Sequence, residues 1–183
     1  MDGVLAAVAT TIGRLTGRVP TEPQMVFDAM HTPSVVKPGA MMYRGSKTQD
    51  RVDLADGLRL LQGHGIRTTR MVYEKVCSAA DFLDLQQTLS ARGVEVLVGV
   101  DETFAVVCGS DRAGGTVTLC SPRDGVSEVP LDEFLSRWDL QIITAQLCSE
   151  PEARTVTWRK LRPRRESAGS VPVDRSHHLR GRR

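Results

Sequence analysis

The strongest constraint on this 183-residue chain lies between residues 94 and 147, where short apolar segments alternate with turn-forming residues. Val94–Val100 reads VEVLVGV, Phe104–Cys108 FAVVC, Thr116–Cys120 TVTLC and Leu140–Leu147 LQIITAQL. Each has the length and apolar content of a strand. Between them stand Asp101-Glu102, the Gly-rich stretch Asp111–Gly115 and the tight loop Ser121-Pro122-Arg123-Asp124-Gly125. A short strand at Ser127–Val129 and a helix at Leu131–Trp138 complete the run. Strands joined this closely pair mostly antiparallel.

The N-terminal half carries helical signals instead. Val4–Leu15 (VLAAVATTIGRL) is almost uncharged, and a helix apolar on nearly every side belongs in a core. Gly17 is its stop. Thr21, Pro23 and Gln24 have the form of a capping box, opening a helix through Met25, Val26, Phe27 and Ala29. His31–Gly39, with two prolines and a glycine, reads as a loop. Asp53 caps a helix over Leu54–Gln62 with Leu54, Leu58 and Leu61 on one face, closed by Gly63 and Gly65. Ile66–Tyr73 suggests a short strand. Ser78 caps a further helix to Ser90, with Phe82, Leu85 and Leu89 as the buried stripe and Arg92-Gly93 as its close. Helices first and antiparallel strands after describe an α+β domain, expected over residues 1–149 and without internal repeats.

Charge divides unevenly along the chain. Residues 1–150 hold 14 Lys or Arg against 19 Asp or Glu, whereas residues 151–183 hold 10 against 3. A mildly acidic body therefore carries a basic tail. Beyond Leu161 the tail is rich in Arg, Pro, Ser, Gly and His, a composition that does not offset its ordering entropy. Residues 150–183 are expected to be disordered, with Thr155–Lys160 the one strand-like segment. No apolar run approaches eighteen residues, so no membrane span is expected. No basic residue precedes the first apolar run, so no signal peptide is expected either. The four cysteines, at 77, 108, 120 and 148, are then expected as reduced thiols in a cytoplasm. Neither their spacing nor His177-His178 forms a metal motif. No phosphate loop or dinucleotide fingerprint is present, and no cofactor is expected.

Five segments, in order, carry a resemblance: VLAAVATTIGRLTGRVPTEPQMV, RGVEVLVGV, TFAVVCG, TLCSPRDG and DEFLSRW. Together they resemble the papain-like cysteine peptidases of the bacteriocin-processing type, and the peptidase-like domains built on that plan, over about residues 3–145. The resemblance implies a papain-like fold, with N-terminal helices packed on a mostly antiparallel sheet. Such peptidases need a Cys thiolate, a His to deprotonate it and an Asp or Asn to orient the His. By resemblance the Cys position falls at Asp2 or Gly3, the His position at Thr103 and the Asp position at Ser121. Threonine is no imidazole base near pH 7, and serine offers an imidazolium no negative charge. The resemblance thus implies a domain that holds a peptide or protein partner in the former cleft without cutting it. Asp101 and Glu102, just before Thr103, stand at the rim of that cleft.

The alternative is a peptidase or acyltransferase with a relocated nucleophile, which leaves open whether the chain is an enzyme. It requires Cys77 or Cys108 within hydrogen-bond reach of His64 or His31. Cys77 precedes a helix start, where a thiol pKa is lowered. Cys108 and Cys120 sit in apolar strands, where cysteine acts as a small hydrophobe. His64, between two glycines, reads as an exposed loop residue.

In the tail, Arg154, Arg159, Lys160, Arg162, Arg164 and Arg165 concentrate positive charge suited to phosphates or carboxylates. Two readings stay open: a solvated tail that aids solubility, and an electrostatic clamp on nucleic acid or another acidic surface, such as an acidic protein or a membrane surface. Deleting the residues after Leu161 is expected to leave the thermal midpoint within about 2 °C. The same deletion should weaken binding to an acidic partner and flatten its salt dependence. A calorimetric midpoint several degrees lower would show instead that these residues pack on the body.

Overall fold

The computed structural model describes residues 2–45, 51–101, 103–122 and 124–148. Glu102, the segment Thr155–Lys160 and the basic tail positions lie outside the described residues. The element order is α1 (Gly3–Thr16), α2 (Glu22–His31), α3 (Leu54–Gly63), β1 (Ile66–Val72), α4 (Ala79–Ser90), β2 (Glu95–Val100), β3 (Thr103–Asp111), β4 (Thr116–Ser121), β5 (Gly125–Pro130), α5 (Leu131–Arg137) and β6 (Trp138–Leu147). The six strands form one sheet in the order β1-β6-β2-β3-β4-β5, with every neighbouring pair antiparallel. The expected α+β architecture is the observed one.

Alternation along each strand sends successive side chains to opposite faces of the sheet. Leu97, Val106, Ile143 and Ala145 face the first three helices. Val96, Val98, Val107, Val117 and Ile142 face α4 and α5. The near-uncharged α1 is the centre of the first layer: Leu5, Ala7, Val8, Ala9 and Ile12 are all buried. The Val4 side chain occupies the place a Cβ on Gly57 would take, so α1 and α3 approach more closely than an alanine at that position allows. The second layer uses the scarce aromatics. Phe82 lies 4.9 Å from Phe134 and 5.9 Å from Trp138, ring centre to ring centre, and each such pair adds about 0.5–1.5 kcal/mol beyond its buried area.

The predicted caps form. Asp53 Oδ1 accepts from Ala55 N (2.9 Å), Ser78 Oγ from Asp81 N (3.1 Å) and Thr21 Oγ1 from Gln24 N (3.4 Å). Four details differ from the sequence reading. First, α2 continues to His31, because its ring stacks on Phe27 (4.0 Å) and Nδ1–H donates to the Phe27 carbonyl (2.7 Å). Second, the stripe of α4 is Phe82, Leu83 and Gln86, with Leu85 and Leu89 half-buried. The helix is rotated so that Gln86 Oε1 accepts from Ser110 Oγ on β3 (2.6 Å). Third, β3 extends past Cys108 to Asp111, paired with β4 through a bulge. Fourth, Trp138 opens β6 rather than closing α5, its indole donating to Gln141 O (2.9 Å).

Asp56 is the one fully buried carboxylate among the described residues. It faces neutral donors, Ser34 Oγ (2.7 Å) and Val35 N (2.7 Å), and so pins the loop after α2 onto α3. Asp56→Ala strips both donors of their acceptor. It is expected to lower stability by about 1–3 kcal/mol in denaturant titration, with hydrogen-exchange protection lost first around residues 33–42. An unchanged midpoint would show that the loop is held by other contacts.

Candidate functional site

Two adjoining clefts open where α1 begins, β2 turns into β3 and β4 ends. The larger, of about 600 Å³, is lined by Asp2, Gly3, Val52, Asp53, Asp101 and Thr103 among others. Its neighbour, of about 380 Å³, is lined by Asp101, Thr103, Ser121, Asp124 and Arg137 among others. Thr103 and Asp101 are common to both. The structure therefore brings Asp2, Gly3 and Thr103 around one cleft, and Thr103 and Ser121 around the next.

Each of these positions is fixed by its element. Asp2 is the N-cap of α1: Oδ1 accepts from Val4 N (2.9 Å) and Leu5 N (3.4 Å), while Oδ2 accepts from Val52 N (3.3 Å). Its carboxylate is thus engaged with backbone and ties the segment before α3 to the start of α1. Gly3 is the first helical residue, and no atom lies within 4 Å of where its Cβ would be. A side chain there would project into open space. Thr103 opens β3 opposite Val100, and the next residue, Phe104, packs into the α1 layer. That packing holds Thr103 at the cleft mouth. Ser121 closes β4, and its Oγ donates to Asp124 Oδ2 (3.4 Å).

Asp101 makes the β2–β3 turn with φ at +49°, a conformation that Asp tolerates better than most residues. Its Oδ2 accepts from Arg137 Nε (2.9 Å), and Arg137 Nη1 also donates to Glu133 Oε1 (3.1 Å). The hydrogen bond with Asp101 raises the Arg137 pKa. The end of α5 is thereby clamped to the rim both clefts share. Sequence reasoning missed Arg137 and Asp124 as lining residues. Asp101 and Arg137 are 36 residues apart, and no local motif announces such a pair.

The residues weighed for a relocated nucleophile do not assemble. His64 Nε2 stands 3.6 Å from Asp28 Oδ2 on α2, and His31 is held by Phe27. Cys108 donates weakly to Val106 O (3.7 Å), its carbonyl accepts from Arg14 Nη2 (3.4 Å), and it neighbours Cys120. Neither Cys77 nor Cys108 is hydrogen-bonded to a histidine among the described residues. Cys77 also departs from the expected lowered pKa. Burial pushes its thiol up, outweighing its own backbone hydrogen bond, and Asp81 adds to the rise. Burial likewise pushes Cys108 up, against the opposing charge of Arg14. Among the described residues, no three His, Cys, Asp or Glu side chains are placed to hold a metal ion, and no helix is long and apolar enough to cross a membrane.

Solved structures share this arrangement of helices and sheet. A double glycine motif protease from an AMS/PCAT transporter, in complex with the leader peptide, superposes with a TM-score of 0.55 and 13% identity, covering 80% of this chain and 85% of that one. The peptidase domain of Streptococcus ComA, a bi-functional ABC transporter involved in a quorum sensing pathway, gives 0.54 and 13%, covering 80% and 92%. The N-terminal peptidase C39 like domain of a toxin secretion ATP-binding protein from Vibrio parahaemolyticus gives 0.51 and 10%, covering 81% and 98%. This chain has the papain-like peptidase fold. No family model and no curated protein matches its sequence, so the likeness lies in the architecture. Within that papain-like frame, no thiol or imidazole is among the described residues lining either cleft.

A raised thiol pKa lowers the thiolate fraction at any given pH and so slows alkylation. Cys77 and Cys108 are expected to react with iodoacetamide several-fold more slowly near pH 7.5 in the folded chain than in the denatured one. Their rates should climb only at higher pH. Peptide-resolved mass spectrometry checks this, and a Cys77 rate above the denatured value near neutral pH would reinstate it as an activated thiol.

Proposed function

We propose that this chain is a non-catalytic papain-like domain whose paired clefts hold an extended peptide, or a segment of a protein partner, without hydrolysing it. One observation carries the reading. The start of α1, the start of β3 and the end of β4 surround paired, peptide-sized clefts whose described lining holds no thiol and no imidazole. A cleft of several hundred Å³ with a few fixed polar groups is suited to binding, whereas the acyl transfer of a papain-like peptidase requires a thiol beside an imidazole. Support also comes from the solved neighbour held in complex with its leader peptide. Thr103, shared by both clefts, is the central contact in this reading, with Asp2, Gly3, Asp101 and Ser121 around it. Glu102 adjoins the same rim in sequence. The basic tail remains, on this proposal, a separate electrostatic arm.

The test uses the full chain and a fluorescent leader peptide carrying a double-glycine motif. Saturable binding with the peptide intact by mass spectrometry after prolonged incubation is the expected result. Gly3→Trp, which fills the open space at the start of α1, should weaken binding at least about tenfold, or 1.4 kcal/mol. The triple variant Gly3→Cys, Thr103→His, Ser121→Asp should acquire a covalent adduct with a peptide electrophile that the native chain does not form. Hydrolysis by the native chain, or binding indifferent to Gly3→Trp, would refute the proposal.

A further inference from the structure

The four cysteines are free thiols, and the fold distributes them unequally. Cys148 follows β6, and its N–H donates to Gly65 O (2.9 Å) beside the start of β1. Cys77 lies beyond the other end of β1 and packs into the aromatic layer. The seven residues of β1 hold those two roughly 20 Å apart. Cys108 and Cys120 instead occupy neighbouring strands, β3 and β4, on the face toward α1. Cys120 packs against the α1 layer. Arg14, near the end of α1, donates to Cys108 O (3.4 Å) and acts electrostatically on both sulfurs.

Strand register brings this pair together. Cys120 stands opposite Val106, and Cys108 is the next residue of β3 on that face. In a regular antiparallel ladder such a diagonal pair is about 7–8 Å apart, at or beyond the roughly 7 Å that a disulfide bridges. Here the register shifts between Val107 and Gly109, so Val107, Cys108 and Gly109 run along a stretch of β4 that only Leu119 and Thr118 oppose. Cys108 is the extra residue of this bulge, and the compression draws it about 2 Å nearer to Cys120. Its Sγ turns back along β3 to lie 3.7 Å from the carbonyl oxygen of Val106, the residue directly opposite Cys120. The Cys120 side chain is also a hydrogen-bond partner of the Cys108 thiol. Both cysteines are half-buried, open enough for a small oxidant.

We propose that Cys108 and Cys120 are a redox-active dithiol that closes to a reversible disulfide across β3 and β4 when the chain meets a hydroperoxide. One thiol sulfur attacks the peroxide O–O bond, takes one oxygen to become a sulfenic acid and releases an alcohol. The second sulfur attacks the sulfenic sulfur and forms the S–S bond, while the departing hydroxide takes up the second thiol's proton as water. The two thiols lose two electrons, and the hydroperoxide gains them. A dithiol reductant reopens the bond by exchange. Burial that slows Cys108 toward an external reagent matters less in the second step, where the two sulfurs are already neighbours. Because Cys120 precedes Ser121, the tether forms one residue from the candidate cleft.

The test treats the reduced full chain with tert-butyl hydroperoxide, blocks the remaining thiols with N-ethylmaleimide and maps tryptic peptides without reduction. Cleavage at Arg92, Arg112 and Arg123 separates the two cysteines into peptides 93–112 and 113–123. Their linked form is expected in the monomer, at least about tenfold above any other pairing, and dithiothreitol should abolish it. Cys77→Ser combined with Cys148→Ser should keep the link, whereas Cys108→Ala and Cys120→Ala should each lose it with the circular dichroism spectrum unchanged. The map of the native chain decides the matter even if an alanine variant fails to fold. Alkylated Cys108 and Cys120 after oxidation, or sulfinic acids without the link, would overturn the proposal. So would links mainly between molecules or to Cys77 or Cys148, or a link that forms equally well in denaturant. None of these outcomes depends on whether the cleft binds peptide.

Discussion

The carboxylate of Asp2 fixes the point from which the candidate site is built. It satisfies N–H groups at the start of α1 and reaches across to Val52 N, so one side chain joins two segments fifty residues apart in sequence. An N-cap of this kind is worth about 1 kcal/mol, and the partial positive charge at the helix start favours the carboxylate there. The field at the start of α1 is thus used by a structural carboxylate.

The cap can set the cleft only because the rest of α1 is held elsewhere. Its Ala- and Val-rich surface is buried against α2, α3 and the sheet, and Gly17 ends it in the left-handed conformation at φ +74°. Burial fixes the axis, so the first turn cannot shift toward or away from β3. Phe104 and Val106 meet that same layer from β3, while Val107 belongs to the aromatic layer beneath α4 and α5. Thr103 is therefore held by packing on both faces of the strand that it begins. The Asp101–Arg137 pair contributes less energy, because both side chains are exposed to solvent, and surface ion pairs are weak. Its value is geometric, as it links the end of α5 to a turn with an uncommon backbone conformation.

How much of this was legible in the sequence depended on the range of the signal. Caps and periodicity act within a few residues, and Thr21, Asp53 and Ser78 announced their helices accurately. The apolar strands were equally plain from their own composition. Rotational details were not, since the face of α4 that is buried depends on Gln86 meeting Ser110 on β3. Likewise, α2 reaches His31 through a stacking contact that weak end signals do not reveal. The Cys77 thiol shows the same limit: the helix start was visible, but the burial that outweighs it was not. Asp2, Gly3, Thr103 and Ser121 were singled out only through resemblance, because nothing local marks a cap aspartate or a strand-end threonine as functional. Arg137 lies within the DEFLSRW segment, but nothing in that segment marks it as the partner of Asp101.

The polar groups of the candidate clefts share one property that bears on what they do. Asp2 is committed to α1, Asp53 to α3, Asp101 to Arg137 and Ser121 to Asp124. Groups held this way do not have to be ordered when a ligand arrives, and such ordering is a principal cost of association. For the proposed peptide role, affinity would then come from shape, from strand-end backbone groups and from the apolar wall of Val52, Val4 and Phe104. The charged rim would set orientation and reject mismatched sequences. On the proposed reading, the helix cap, the β2–β3 turn and the α5 clamp preserve the shape of the cleft for recognition, because all three are structural interactions between elements of the fold.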